Sequence, residues 1–308
     1  MLAVAAAYVA LSGRLNNILP SAGDQGFVFP SVAAWGLDRW WSLGLNVGGN
    51  LLIMALMIII NKAFNVLRAI TWLQVGLFGI MQAAVPREVL ALNSGTLVCV
   101  AVAYCIFLLF SCYNAPEKVR TVFLAFLVLS LGTTAQYCFT LYIVVCWLML
   151  IQMRIFSMRV FVASVLGIVT VWIILFGFGL ISPADLHLPS ITGIMDVLDL
   201  HSAVYLLSLT AGTTFLLVLA LGANLMKTIA YNARARAYNG ALTVLSLVTV
   251  VAVAADFENL LAYLPLLNLC TAYQITHYFV NHRYERQYIA VLAVCGFYFA
   301  LYLWRLSL

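Results

Sequence analysis

Long apolar runs separated by short polar loops fill almost the whole chain. Each run is close to the roughly twenty residues that a helix needs to cross a hydrocarbon core of about 30 Å. We predict ten such runs, near residues 42–60, 68–85, 93–112, 120–135, 136–153, 160–181, 203–222, 238–255, 259–279 and 287–304. With a shorter run at 2–13, the pattern predicts an all-α, polytopic transmembrane bundle of about eleven spans that forms one membrane domain over residues 1–308.

Two of these runs have unusual lengths. Twelve helical residues at 2–13 rise only about 18 Å, which favours a native start further upstream, so that the chain begins inside its first span. The run at 120–153 is too long for one ordinary span and is interrupted by Gly132, Thr133 and Thr134. This interruption predicts a hairpin of two shortish helices.

Composition and charge support a membrane protein. Hydrophobic residues make up 65% of the chain and charged residues 8%, too few charges to cover a soluble domain of 308 residues. The net charge of +5 does not indicate nucleic-acid binding, because the basic residues are scattered through short loops. We therefore expect membrane lipids, and no nucleic acid, among the partners.

The basic residues also predict the orientation. With a cytoplasmic N-terminus, eleven of the fifteen Lys and Arg residues fall in cytoplasmic loops, as the positive-inside rule requires. The C-terminus is then external, and eight of the ten acids lie outside. The acids have little influence on topology, so their external clustering calls for another explanation. We expect a bacterial inner membrane and a site on its outer face.

The first external loop, residues 14–41, is the longest polar interruption near the start of the chain. Its last part, residues 31–41, predicts a short helix parallel to the membrane, with Trp35 and Trp40 at headgroup level. Asp24 precedes this helix in a glycine-bounded turn that can present a carboxylate. The alternative is that Asp24 only stabilises the turn or the helix entry.

An outward-running first span, followed by a long loop with an acid just before an interfacial helix, resembles the GT-C superfamily of membrane glycosyltransferases. The resemblance covers roughly residues 1–41 and lacks a second acid at Gln25. It implies that the loop acid, here Asp24, is a catalytic base on the acceptor or a metal ligand, and that the donor is a sugar on a polyprenyl phosphate. Our hypothesis takes Asp24 as the base, with Asp38 or Arg39 in support. Arg39 and Arg87 could assist the departing phosphate, or could anchor the chain at the headgroups.

The second external loop, residues 182–202, contains two acid–x–histidine pairs. They are Asp185 with His187, and Asp199 with His201. Carboxylates and imidazoles together can bind a divalent metal, but a solvated acidic loop explains the same residues. We assign no metal ligand, and the sequence identifies no cofactor. The complete set of substrate-binding candidates is Arg87, Trp35, Trp40, His187 and His201.

Polar residues inside the spans have two interpretations. Asn46 and Asn50, one helical turn apart among glycines, favour close helix packing. Tyr273, Gln274 and His277 could form a polar pocket or a proton path, or His277 could reach the cytoplasmic interface. The seven cysteines all fall in or beside apolar runs, which indicates packing residues.

The sequence thus leaves open whether the protein is an enzyme. The first hypothesis is a GT-C-like transferase that uses a polyprenyl-phosphate-linked sugar at the outer face. The alternatives are a non-catalytic scaffold subunit of an envelope assembly, which would have a protein partner, and a lipid or solute carrier. No acidic or basic residue lies unambiguously at a span centre, which argues against an ion-coupled transporter.

Overall fold

The computed structural model describes residues 26–30, 32–182, 184, 186, 200–228, 231–281 and 287–307. All regular structure within these ranges is helical, and the all-α prediction is confirmed. The α-helices are α1 (Arg39–Phe64), α2 (Leu73–Ala83), α3 (Pro86–Leu90), α4 (Ser94–Phe110), α5 (Val119–Ala135), α6 (Phe139–Gln152), α7 (Met158–Gly177), α8 (Leu200–Thr228), α9 (Ala233–Ala255), α10 (Leu260–Asn281) and α11 (Gln287–Ser307).

Five of these helices, α1, α7, α8, α9 and α11, are long and apolar enough to cross a membrane. The peripheral helices turn large apolar side chains outward, as with Ile173 on α7 and Leu292 on α11, each 64% exposed. A water-soluble protein rarely shows such continuous apolar surface, whereas lipid tails solvate it. The structure therefore supports a helical membrane protein.

Helix α10 lies at the centre of the bundle. Nineteen of its 22 residues are buried, and it packs against α2, α4, α8 and α9. Its first half approaches α4 unusually closely: a Cβ on Gly95 would lie 2.4 Å from the Leu261 carbonyl oxygen and 2.7 Å from Cδ of Pro265. Only glycine permits this contact, so Gly95 fixes the spacing of the two helices.

The predicted hairpin at 120–153 is confirmed, although the turn falls slightly later than the sequence indicates. Helix α5 runs through Gly132, Thr133 and Thr134, and the turn comprises residues 136–138. The two threonine hydroxyls donate to carbonyl oxygens three residues earlier, so both residues fit the last helical turn. A Cβ on Gly132 would collide with the Phe139 ring, and this glycine allows the second helix to pack closely.

The prediction of one interfacial helix over residues 31–41 is wrong in its second half. A short 3-10 helix covers Val32–Trp35, and Gly36 then adopts a left-handed backbone with φ +63°. Asp38 caps a new helix, so Trp40 belongs to the first turn of α1. A left-handed glycine followed by an N-cap residue separates two helices.

Helix α2 also begins later than the run at 68–85 indicates. Asn65 and Arg68 both have a left-handed backbone, and the chain stays in a loop until residue 73. Asn61 holds this loop, because its side chain accepts from the Leu67 amide and donates to the Ala69 carbonyl oxygen, each at 3.0 Å. The loop shortens α2 to eleven residues.

The predicted packing role of Asn46 is confirmed. Its amide donates to the Val89 carbonyl oxygen at 3.0 Å, and its Oδ1 accepts from the Thr96 hydroxyl at 2.7 Å. It therefore links α1 to α3 and α4. Six of the seven cysteines are buried, as their apolar surroundings predict.

The Gly95 contact can be tested by substitution. Gly95→Ala should lower the stability of the detergent-solubilised protein by about 1–3 kcal/mol, because a methyl group must displace helix α10. Gly48→Ala is the matched control, since a Cβ there meets nothing within 4 Å, and its melting temperature should stay the same or rise. Thermal unfolding measures both; equal melting temperatures for the two variants would contradict the close contact.

Candidate functional site at one end of the bundle

The structure gives the described candidates of the first loop mainly local roles. The Asp38 carboxylate accepts from the Trp40 amide at 3.3 Å and caps α1, while Arg39 begins that helix with an exposed side chain. The Trp35 indole N–H donates to the Pro30 carbonyl oxygen at 3.1 Å. Trp40 is 76% exposed, as expected for a side chain among lipid headgroups.

The remaining candidates are less closely defined. Asp24 and His187 lie outside the residues that the structure describes. The backbone of Arg87 belongs to α3, but its side chain is outside the described part. His201 lies in the first turn of α8 and is exposed. Asp199, its partner in the second acid–x–histidine pair, and Asp185, the partner of His187 in the first, are outside the described ranges.

A carboxylate that the sequence did not single out forms the centre of a polar cluster at the end of the bundle. Oδ2 of Asp256 accepts from the Tyr137 hydroxyl at 2.6 Å and from the Tyr263 hydroxyl at 3.0 Å. Oδ1 accepts from the Asn259 amide at 2.7 Å. The side chain is half-buried, and we call these four residues the Asp256 cluster.

The four residues of this cluster come from four separate elements. Asp256 ends α9, its neighbour Asn259 closes the 3-10 turn Phe257–Asn259, and Tyr263 lies in the first turn of α10. Tyr137 comes from the turn between α5 and α6, 119 residues earlier in the chain. The carboxylate thus ties the α5–α6 hairpin to the start of the central helix.

The Tyr137 hydroxyl acts in this cluster as a donor. Partial burial raises the pKa of Tyr137 above its ordinary value, and the neighbouring Cys138 and Asp256 raise it further. Tyr137 therefore stays protonated at neutral pH and donates to the carboxylate. An ionised carboxylate has about four acceptor positions, and the described side chains use three of them. The fourth position has no partner among the described side chains.

The first loop docks beside this cluster. The amide of Phe27 donates to the Thr133 carbonyl oxygen at 3.2 Å, and those of Val28 and Phe29 donate to the Thr134 carbonyl oxygen at 3.2 and 2.9 Å. These carbonyls lie in the last turn of α5, just before Tyr137. Gly26 permits the approach, because a Cβ there would lie 2.0 Å from the Thr134 carbonyl oxygen.

The opposite end of the bundle corrects the interfacial interpretation of His277. This side chain is only 2% exposed, and its Nε2 lies 3.4 Å from the Tyr231 hydroxyl. The Arg68 guanidinium stacks on the Tyr231 ring at 4.6 Å. His277 is therefore buried against the loop after α8 and does not extend to the interface.

Sequence reasoning missed the Asp256 cluster for a clear reason. Charge counting placed Asp256 on the external side, but its two tyrosine partners lie within or beside apolar runs and give no local signal. The described residues contain no group of three or more His, Cys, Asp or Glu side chains placed to hold a metal ion. Comparisons with family models, curated proteins and solved structures gave no match to this chain.

Docking of the first loop can be tested by hydrogen exchange. In the native protein, the amides of Phe27, Val28 and Phe29 should exchange slowly because each is hydrogen-bonded to α5. Gly26→Ala should accelerate exchange in the peptide that contains them, since the added methyl group separates the loop from Thr134. Gly44→Ala, where a Cβ meets nothing within 4 Å, should leave exchange unchanged. Fast exchange in the native protein would contradict the docking.

Proposed function

We propose that the chain crosses a bacterial inner membrane about eleven times, with its N-terminus in the cytoplasm and its C-terminus outside. The Lys and Arg distribution supports this orientation, and the five long apolar helices support the membrane location. The shorter apolar helices, α2, α4, α5 and α6, would cross as well, mostly within the shelter of their neighbours. In this orientation, the Asp256 cluster lies at the outer end of the bundle.

We further propose that the protein is a GT-C-like glycosyltransferase that takes a sugar from a polyprenyl-phosphate-linked donor at the outer face. The observation that carries this proposal is the docking of Gly26–Phe29 beside the Asp256 cluster. The docked segment follows Asp24 by two residues in the sequence. Asp24, which the GT-C resemblance identifies as the base, therefore comes just before a segment that is fixed beside a second carboxylate, that of Asp256.

The proposed reaction divides the work between these carboxylates. Asp24 accepts the proton of the acceptor hydroxyl, whose oxygen forms the new bond to the anomeric carbon of the sugar. The bond from that carbon to the phosphate oxygen breaks, and the polyprenyl phosphate leaves with its electron pair. Asp256 accepts a hydrogen bond from a sugar hydroxyl and orients the ring, while Arg39 or Arg87 stabilises the departing phosphate.

The test is transfer from a polyprenyl-phosphate-linked sugar by the full-length protein in liposomes. Asp24→Asn should reduce the rate at least about 100-fold, because the amide cannot take up the proton. Asp256→Asn should raise KM for the donor and lower kcat less, since an amide still offers one oxygen acceptor. Glu117→Gln, an exposed acid at the other end of the bundle, is the matched control and should retain the native rate.

Melting temperatures close to that of the native protein would show that these variants are folded. Full activity in Asp24→Asn would contradict its assignment as the base. Transport of a solute or lipid across sealed vesicles that tolerates both substitutions would instead identify a carrier.

A further inference from the structure

The end of the bundle opposite to the Asp256 cluster holds two basic side chains around one tyrosine. The Arg68 guanidinium stacks on the Tyr231 ring, with its Cζ 4.6 Å from the ring centroid. The Lys227 ammonium donates to the Asn281 carbonyl oxygen at 3.0 Å. The Tyr231 hydroxyl and Nε2 of His277 lie 3.4 Å apart. We call these five residues the basic cluster.

Direct contacts between three parts of the chain hold the basic cluster together. Arg68 lies in the loop between α1 and α2, Lys227 and Tyr231 come from the end of α8 and the loop after it, and His277 and Asn281 belong to the last turn of α10. The Asn281 side-chain amide donates to the His277 carbonyl oxygen at 2.8 Å. Each member therefore contacts the next, and the two cations are positioned on either side of this polar group.

The basic cluster can be reached from outside the bundle. Arg68 is exposed, Lys227, Tyr231 and Asn281 are half-buried, and His277 is buried beneath them. Neither cation forms an ion pair with an acid in the part of the chain that the structure describes. Two like charges in one cluster repel each other, and an anion bound by both offsets this repulsion. The charges therefore favour an anionic ligand.

The donors of the two cations indicate which anion fits. A lysine ammonium has three N–H donors, and the Lys227 ammonium uses one of them on Asn281. A guanidinium that stacks on a ring through its face keeps the N–H groups at its edge for other acceptors. This edge matches two oxygens of a phosphate group. Arg68 and Lys227 together thus present the donors that a phosphodiester requires.

Exposed apolar side chains beside the two cations distinguish a lipid from a free phosphate. Ile70 and Trp72 follow Arg68 in the same loop and are 92% and 69% exposed. Met226 precedes Lys227 and is 81% exposed. Helix α8 ends and α2 begins at this level, where hydrocarbon gives way to headgroups. An anionic phospholipid offers a phosphate to the cations and acyl chains to the apolar side chains.

We propose that the basic cluster binds the phosphate of an anionic phospholipid, whose acyl chains lie against Ile70, Trp72 and Met226. The bound lipid joins the α1–α2 loop to the end of α8 and stabilises this end of the bundle. Its binding is independent of the proposed transfer reaction, because the residues that hold it lie at the other end of the bundle.

The test is thermal unfolding of the full-length protein in a neutral polyoxyethylene detergent. The probes are phosphatidylglycerol, phosphatidylcholine and inorganic phosphate. Phosphatidylglycerol, which has a net negative charge, should raise Tm in a concentration-dependent way, by about 3–5 °C. Phosphatidylcholine should have little effect, because its quaternary ammonium group cancels the phosphate charge. Inorganic phosphate should also have little effect, because it has no acyl chains.

Variants identify the residues that bind the lipid. Arg68→Gln and Lys227→Met should each remove most of the shift that phosphatidylglycerol causes, because each deletes one of the two cations. Arg68→Gln removes only a ring contact from the lipid-free protein, so its lipid-free Tm should stay close to that of the native protein. Arg159→Gln is the matched control. This exposed arginine lies in the first turn of α7 at the same end of the bundle, and its loss should leave the shift unchanged.

The proposal is overturned if phosphatidylglycerol does not raise Tm, or if phosphatidylcholine or inorganic phosphate raises it equally. It is also overturned if the shift persists in both cluster variants. Loss of the shift in Arg159→Gln to the same extent would overturn it as well, because the lipid would then respond to the overall positive charge of this end.

Discussion

The burial of α10 on nearly every side determines how the rest of the bundle is arranged. A helix with no lipid-facing surface must be surrounded by other helices, and α2, α4, α8 and α9 provide this shell. Pro265 lacks an amide hydrogen and leaves the Leu261 carbonyl oxygen without its usual helical donor. Gly95 brings α4 against this segment, so an irregularity in the central helix is covered by protein rather than by lipid.

The two ends of α10 are fixed by different chemistry. At its start, the Asp256 carboxylate accepts hydrogen bonds from two tyrosine hydroxyls and one amide, which belong to three different elements. Near its end, the Asn224 amide of α8 donates to the side chain and backbone of Gln274, and His277 packs against Tyr231. Between these ends lies Asn268, whose side-chain amide has no hydrogen-bond partner among the described residues. A carboxylate thus fixes one end of α10, whereas amide and imidazole groups fix the other.

Much of the fold could be predicted because lipid imposes simple rules. Each of the ten apolar runs at 42–304 corresponds to a helix. A helix that crosses the hydrocarbon core needs a minimum number of apolar residues, and runs of that length are visible in the hydropathy pattern. The ends of the helices were harder to predict, because they depend on single residues that adopt a left-handed backbone, such as Gly36, Asn65 and Arg68. Such conformations have no periodic signal.

The candidate site was predicted less completely than the fold. The GT-C hypothesis gives Asp38 a supporting role beside Asp24. In the structure its carboxylate caps α1, a role that its position just before the helical Arg-Trp-Trp segment could have indicated. The Asp256 cluster joins residues 137, 256, 259 and 263, and only tertiary packing brings the first of these to the others.

We propose that the outer end of this bundle acts on a lipid-linked sugar. Native mass spectrometry of the protein extracted gently from its own membranes tests this function. We expect the protein to retain a species with the mass of a polyprenyl phosphate or of its glycosylated form. A stoichiometric protein partner without any such lipid would contradict the transferase function and would identify the chain as a scaffold subunit.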